Sequence, residues 1–251
     1  MSGHSKWSTI KRAKGLTDIK RGQTFTKLAI VITIATKLGN SGDPESNPRL
    51  RMAVEEARGV NMPKENIQRA IDRGLGKLPG QTLEEVLYEG FGPGKVAIIV
   101  EGVTDNHRRT TSAIKNIFDK GGGSLAGQGA VSYMFERVGE IRISGQATGN
   151  REEEMLELID LGAKDVEDFL EGNIQKYLVY TEGSKLNTMG TKITQAGYGV
   201  ESQELVYKPT VLQEIKEKEE TDKILDFIER LEELDDVQKV YANLSLPEEL
   251  I

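Results

Sequence analysis

The chain has 251 residues, 37% hydrophobic and 29% charged, with no cysteine, which excludes disulfides, thiolate metal sites and cysteine nucleophiles. Two histidines, His4 and His107, leave little for a zinc site or a Ser-His-Asp triad, and the longest apolar run, Leu28 to Ala35, is far too short to span a bilayer. The formal net charge of −7 hides a split: residues 1–80 hold 15 Lys and Arg against 7 Asp and Glu, a net of +8, and residues 81–251 hold 18 against 33, a net of −15.

A length of 251 residues suits two or three domains. The first twelve residues are polar and lack the apolar stretch of a secretory signal, so a cytoplasmic, soluble protein is expected, with a monomer favoured. An acidic body repels polyanions and a basic head attracts them, so the charge split argues about partners.

Residues 1–23 form a basic arm, with Lys6, Lys11, Arg12, Lys14, Lys20 and Arg21 opposed by Asp18 alone. A helix is predicted over part of the arm, with Gly22 ending it. Thr24 then caps a second helix, Phe25 to Leu38, whose apolar residues lie all round and predict a buried central element. The β-branched run Val31-Ile32-Thr33-Ile34 leaves a strand open as an alternative. Residues 39–47 read as a loop, after which Asn47 caps a helix with Pro48 at its first position. Leu50, Ala53, Val54 and Ala57 give that helix one apolar stripe, and Gly59 ends it. Another helix starts at Pro63, turns Ile67, Ala70 and Ile71 inward and ends at Gly74. The short connection through Gly59–Met62 is typical of a helix-turn-helix.

Residues 75–94 read as a linker. Beyond it strands and helices alternate. Strand, helix and strand are predicted at Lys95–Val103, Asn106–Lys120 and Ala130–Phe135. Residues 139–200 then carry the order βαββαβ of a ferredoxin-like unit. A strand at Glu204–Lys208, an acidic helix at Thr221–Leu234 and a strand at Val237–Leu244 complete a second such set. The expected fold is α+β: a helical, helix-turn-helix-like domain over 1–80, a ferredoxin-like domain over 81–138 plus 204–251, and a second one inserted over 139–203.

Candidate sites follow from the charge. Lys6, Lys11, Arg12, Lys14, Lys20, Arg21 and Lys27 can neutralise phosphates and release counterions, the main source of nucleic-acid affinity. Trp7 admits two roles of equal weight, stacking on an unpaired base or pinning the arm to the helical core. The helix from Pro63 exposes Lys64, Asn66, Gln68, Arg69 and Arg73, as a recognition helix would, although a solvated bundle face has the same pattern. His107, Arg108 and Arg109 sit at a helix start where a phosphate could bind. Capping by Asp105 or Thr104 is the simpler reading. Glu101 with Asp105 is a weak carboxylate pair. Gly121-Gly122-Gly123, Gly127-Gln128-Gly129 and Gly92-Pro93-Gly94 lack the order or spacing of phosphate loops and read as turns. No metal, cofactor or catalytic residue is expected, and an enzyme ranks last.

Several stretches together resemble the YebC family, which includes bacterial proteins and a mitochondrial translational activator. They are Gly3-His4-Ser5-Lys6-Trp7, Lys20-Arg21-Gly22 through Phe25-Thr26-Lys27-Leu28, Asp43-Pro44 through Asn47-Pro48-Arg49-Leu50, and Asn61-Met62-Pro63-Lys64 with Ile67 and Ala70-Ile71. Tyr88-Glu89-Gly90-Phe91-Gly92-Pro93-Gly94, Thr104-Asp105-Asn106 and Asp235-Asp236-Val237-Gln238 with Val240-Tyr241 extend the match over nearly the whole chain. The resemblance implies three domains around a cleft and a non-catalytic role in gene expression. It implies either DNA-binding transcriptional regulation or action at the ribosome, on ribosomal RNA, in elongation through difficult sequences such as proline runs. A basic arm carrying Trp7 leans toward irregular RNA.

Overall fold

The computed structural model describes residues 18–78, 83–145 and 150–246. Three helices come first: α1 (Asp18–Gly39), α2 (Pro48–Gly59) and α3 (Lys64–Gly74). Helix α1 runs unbroken through Gly22, which was expected to end a helix. A helical glycine costs about 1 kcal/mol, and the helix continues into a segment packed on both other helices. The β-branched run within it is helical, with Ile32 and Ile34 buried. Leu28, Ile32 and Ala35 of α1 meet Leu50, Ala53, Val54 and Ala57 of α2 and Ile67, Ala70 and Ile71 of α3 in one core. Thr33 is buried too, its hydroxyl donating to the carbonyls of Ala29 (2.7 Å) and Ala70 (3.1 Å).

Asn47 explains why α2 starts where it does. Its side-chain oxygen accepts from the Leu50 N–H at 3.1 Å, while its amide donates to the Ala35 carbonyl at 2.9 Å. One buried side chain thus caps α2 and ties it to α1. Gly74 sets the spacing of α1 and α3. A Cβ on it would lie 2.6 Å from both the Thr33 carbonyl oxygen and Thr36 Cβ, so no larger residue fits without moving a helix. Gly74→Ala is expected to cost about 1–3 kcal/mol by overpacking. Chemical unfolding would show this as a lowered midpoint.

The segment expected to be a linker holds a strand, β1 (Glu84–Phe91). It pairs antiparallel with β2 (Ala97–Thr104), Glu84 opposite Thr104 and Phe91 opposite Ala97. The turn between them places Gly94 and Lys95 in the left-handed region, at φ 66° and 58°. Helix α4 (His107–Lys120), β3 (Ser124–Ala126), α7 (Lys218–Glu232) and β9 (Val237–Ala242) complete this unit, with sheet order β3-β1-β2-β9. Between β3 and α7 lie β4 (Phe135–Ser144), α5 (Arg151–Asp160), β5 (Asp165–Glu171), β6 (Ile174–Glu182), α6 (Leu186–Gln195) and β7 (Gly199–Pro209), with sheet order β5-β6-β4-β7. A short parallel pair, β8 (Gln213–Glu214) with β10 (Leu244–Ser245), joins the chain ends of the outer unit.

Both sheets share one plan, and one ferredoxin-like unit is inserted in the other. In the inserted unit, β4-α5-β5 and β6-α6-β7 interleave. In the outer unit β2-α4-β3 is one half and α7-β9 belongs to the other. The place that β6 holds in the first sheet is taken here by β1, which precedes the rest in sequence. The strand expected for that place, Glu204–Lys208, is instead the second half of β7, paired with β4 of the inserted sheet. The predicted boundary at 203 therefore falls inside a strand. Ala130–Phe135, predicted as a strand, is a tight turn over Ser132–Met134 leading into β4. Residues 237–242 do pair with β2.

The sheets are buried on both faces. Ile98, Val100, Val240 and Ala242 pack under α4 and α7, where Phe118 and Phe227 meet edge to face at 5.0 Å. Ala97, Ile99 and Tyr241 face Val138, Leu178, Tyr180 and Val206 of the other sheet. Ile141, Ile143, Tyr177 and Val179 pack under α5 and α6. The layers thus run helix, sheet, sheet, helix. No described helix is long and apolar enough to cross a membrane.

Candidate nucleic-acid interface

Of the eleven candidate contacts, Lys6, Trp7, Lys11, Arg12 and Lys14 lie outside the described residues. Lys20 and Arg21 fall within the first turns of α1. The side chains of Lys27, Lys64, Arg69 and Arg73 are described, and they do not form one cluster. Arg69 and Arg73 are exposed and four residues apart, so they share a flank of α3. Lys64 opens the same helix on its other flank. Among the described residues none of these three forms an ion pair. Asp72, on the helix face between them, is taken by Lys77 at 3.2 Å and by the Gln68 amide at 3.2 Å.

Lys27 has another occupation. Its ammonium donates to the Glu232 carbonyl at the end of α7. A cation at a helix C-terminus satisfies a free carbonyl and meets the negative end of the helix dipole. Arg49 pairs with Glu85, and Lys37 donates to the Leu83 carbonyl at 3.1 Å. These three polar contacts hold the helical domain against the α/β body.

The strand-to-helix junction at 104–109 is a cap. Asn106, rather than Asp105 or Thr104, is the N-cap: its side chain accepts from the Arg109 N–H at 3.1 Å. Thr104 accepts from the Asn106 N–H at 2.9 Å. Arg109 is bound to Asp236 at 2.9 Å and to Asp105 at 2.8 Å, and His107 meets Glu84 at 2.9 Å. Asp236 also accepts from the Thr110 hydroxyl at 2.6 Å. This network anchors the turn before β9 through one terminal nitrogen of Arg109. Glu101 accepts from the Tyr241 hydroxyl at 2.9 Å, so it and Asp105 serve different partners.

The glycine-rich segments are turns, as expected, but they hide an anchor the sequence reading missed. Glu89, 3% exposed, accepts the backbone N–H groups of Gly129, Val131 and Ser132 at 2.8 Å each. It thereby fixes the loop that presents Tyr133, 70% exposed. Burial alone would raise the Glu89 pKa, but the three backbone donors outweigh it and hold the group below its usual 4.5. A lowered folded pKa stabilises the protein fully above the unfolded value, and that stability is lost as pH falls through the folded value. Glu89→Gln is therefore expected to lose stability at neutral pH. It should also decline less steeply than the parent below pH 4.5, in urea unfolding across an acid series.

With this geometry in place, likeness to known proteins is specific. Residues 5–77 match the model of the TACO1/YebC N-terminal domain, and residues 83–244 match that of the TACO1/YebC second and third domain. The chain belongs to the TACO1/YebC family. A Chloroflexus aggregans protein called a probable transcriptional regulatory protein is 49% identical, over 100% of this chain and 98% of its own. An Aquifex aeolicus protein with the same description is 44% identical, over 100% and 98%. The crystal structure of a conserved hypothetical protein from Aquifex aeolicus superposes with a TM-score of 0.83 at 42% identity, covering 93% of this chain and 94% of that one. The matches to residues 5–77 and 83–244 meet where the helical domain gives way to β1.

Proposed function

We propose that the protein is a non-catalytic regulator of gene expression that binds nucleic acid through its basic N-terminal domain and acts in transcription. The carrying observation is the charge split. Residues 1–17 alone hold four Lys and Arg and no acid, and residues 81–251 are net −15. Exposed Arg69 and Arg73 add positive charge on α3, and both relatives named above are called probable transcriptional regulatory proteins. Duplex DNA would be held at a small site by the basic domain and repelled elsewhere by the acidic body.

A second reading, binding to ribosomal RNA as a translation factor, draws on Trp7 among lysines, since aromatic stacking favours unpaired bases. One experiment separates the two. Equilibrium binding of the full chain to duplex DNA and to a looped RNA is measured at one salt concentration, with sedimentation of the native protein from lysate alongside. Preference for duplex and sedimentation away from ribosomes supports transcription. Preference for looped RNA and co-sedimentation with ribosomes supports translation. Binding to neither sinks both.

A further inference from the structure

Three lysines of the acidic body line one groove. Two adjoining cavities, of about 270 and 210 Å3, share Gly162, Thr181 and Lys185 and form one groove between the end of α5 and the start of α6. Lys164, Lys185 and Lys192 line it. Each is positioned by its own partner. Lys164 pairs with Glu136, Lys185 meets Glu182 at 2.8 Å, and Lys192 donates to the Leu161 carbonyl at 3.0 Å. Lys185, the last residue of the tight turn before α6, and Met189 and Lys192 of α6 follow at i, i+4 and i+7, on the side toward the groove.

No side chain caps α6 or the tight turn Gly183–Lys185 before it; the Leu186 N–H is bonded to the Gly183 carbonyl, and Glu182 is the acidic side chain at the start of the turn. Thr181 is 2% exposed and lines the groove, and its hydroxyl has no hydrogen-bond partner among the described residues. Its methyl is directed at the neighbouring strand, where a Cβ on Gly139 would meet Thr181 Cγ2 at 3.1 Å. Gly162, at φ 109°, lets the chain turn tightly at the groove wall, with Lys192 Nζ 3.9 Å from where its Cβ would be.

We infer that this groove binds a phosphate group, held by Lys185, Lys192 and the Thr181 hydroxyl, with Glu182 as the competing internal anion. The part lined by Lys185, Thr181 and Glu182, about 270 Å3, has room for a phosphate and its waters. Glu182 lies on the rim, bound to Lys185, and must yield that ammonium when phosphate enters. This site is independent of the N-terminal domain and of the nucleic-acid reading. The phosphate is either a backbone phosphodiester of a polynucleotide or a free phosphate-bearing small molecule.

The test uses the full chain and inorganic phosphate as probe, against chloride at equal ionic strength. Saturable amide shifts at Gly162 and Thr181–Lys185 are expected in NMR. Lys185→Gln and Lys192→Gln should each weaken binding about three- to fivefold, the range of exposed charge pairs, and Glu182→Gln should tighten it. Thr181→Val should weaken binding with the melting temperature retained. Shifts that chloride reproduces, or that all four substitutions leave unchanged, overturn the site. A second arm adds a short RNA to the chain carrying Lys11→Ala, Arg12→Ala and Lys14→Ala. Phosphate that displaces the RNA from the groove identifies a polynucleotide backbone as the source. Phosphate binding there without RNA binding identifies a small molecule.

Discussion

Replacing Arg142 with methionine is expected to remove about 3–5 kcal/mol of stability, the usual cost of breaking a buried ion cluster by deleting one member. The Arg142 side chain is 5% exposed and lies within the inserted sheet. It donates to Glu171 at 2.7 Å and to Glu201 at 3.0 Å, and Lys176, 9% exposed, meets the same two carboxylates. The four residues come from β4, β5, β6 and β7, so the cluster clips every strand of the sheet. Its guanidinium lies 4.7 Å from the centre of the Phe169 ring. Methionine keeps an apolar stem over that ring, so the variant isolates the lost charge and hydrogen bonds. Two carboxylates would then face one ammonium. Desolvation alone would raise the pKa values of Glu171 and Glu201, but Lys176 and Arg142 together hold both below the usual 4.5. Their stabilisation is present above the unfolded value and lost as pH falls through the folded one. The deficit of Arg142→Met should therefore shrink in acid, as the stranded carboxylates protonate. Adding Glu201→Gln should restore part of the loss at neutral pH. Urea unfolding of the single and double variants at both pH values reads all three effects. A single-variant loss under about 1 kcal/mol would place the cluster with ordinary surface pairs.

What the sequence made legible depends on how locally each element is encoded. The helices at 48–59 and 64–74 carry their start, stripe and stop within a dozen residues, and the structure places their buried residues as the pattern predicts. Strand β1 was invisible for a physical reason. Three of its eight residues are glutamates and one is Gly90. Glu89 reads as exposed, yet it is buried because a loop forty residues away supplies its donors. Gly90 reads as a breaker, yet only glycine fits: a Cβ there would lie 2.6 Å from the Ser124 carbonyl oxygen and from Phe118. Long strand β7 was split by the same kind of error, because its polar stretch Glu201–Glu204 includes the Glu201 of the Arg142 cluster and a Glu204 paired with Lys239 of β9. Non-local partners decide such positions, and single-residue preferences do not contain them. The candidate interface was legible as charge and not as geometry. Net charge adds along the chain whatever the fold. The commitment of Lys27 to α7 and of Arg109 to Asp236 needs residues more than a hundred positions away.

Removing Lys11, Arg12 and Lys14 together, each to alanine, should change how nucleic-acid affinity responds to salt more than any substitution on the folded surface. Each lysine or arginine bound to a phosphate displaces roughly 0.7 counterions from a single strand and roughly 0.9 from duplex DNA. If Lys6, Lys11, Arg12, Lys14 and Lys20 engage five phosphates, log K falls against log salt with a slope of about −3.5 on irregular RNA and about −4.5 on duplex DNA. The triple variant should flatten that slope by about two to three units. Removing Arg69 and Arg73 in a separate variant should flatten it by at most about two, and only where α3 approaches the backbone. Trp7→Ala tests another term. Loss of stacking should weaken binding by about 1–3 kcal/mol with the slope unchanged, because no counterion is involved. Loss of a core anchor should instead lower thermal stability by about 3–5 kcal/mol. Salt-dependent titration and melting on each variant keep charge, stacking and folding apart. If the triple variant retains both the parent's affinity and its slope, the arm is not the contact, and the basic head loses the role on which the proposed function stands.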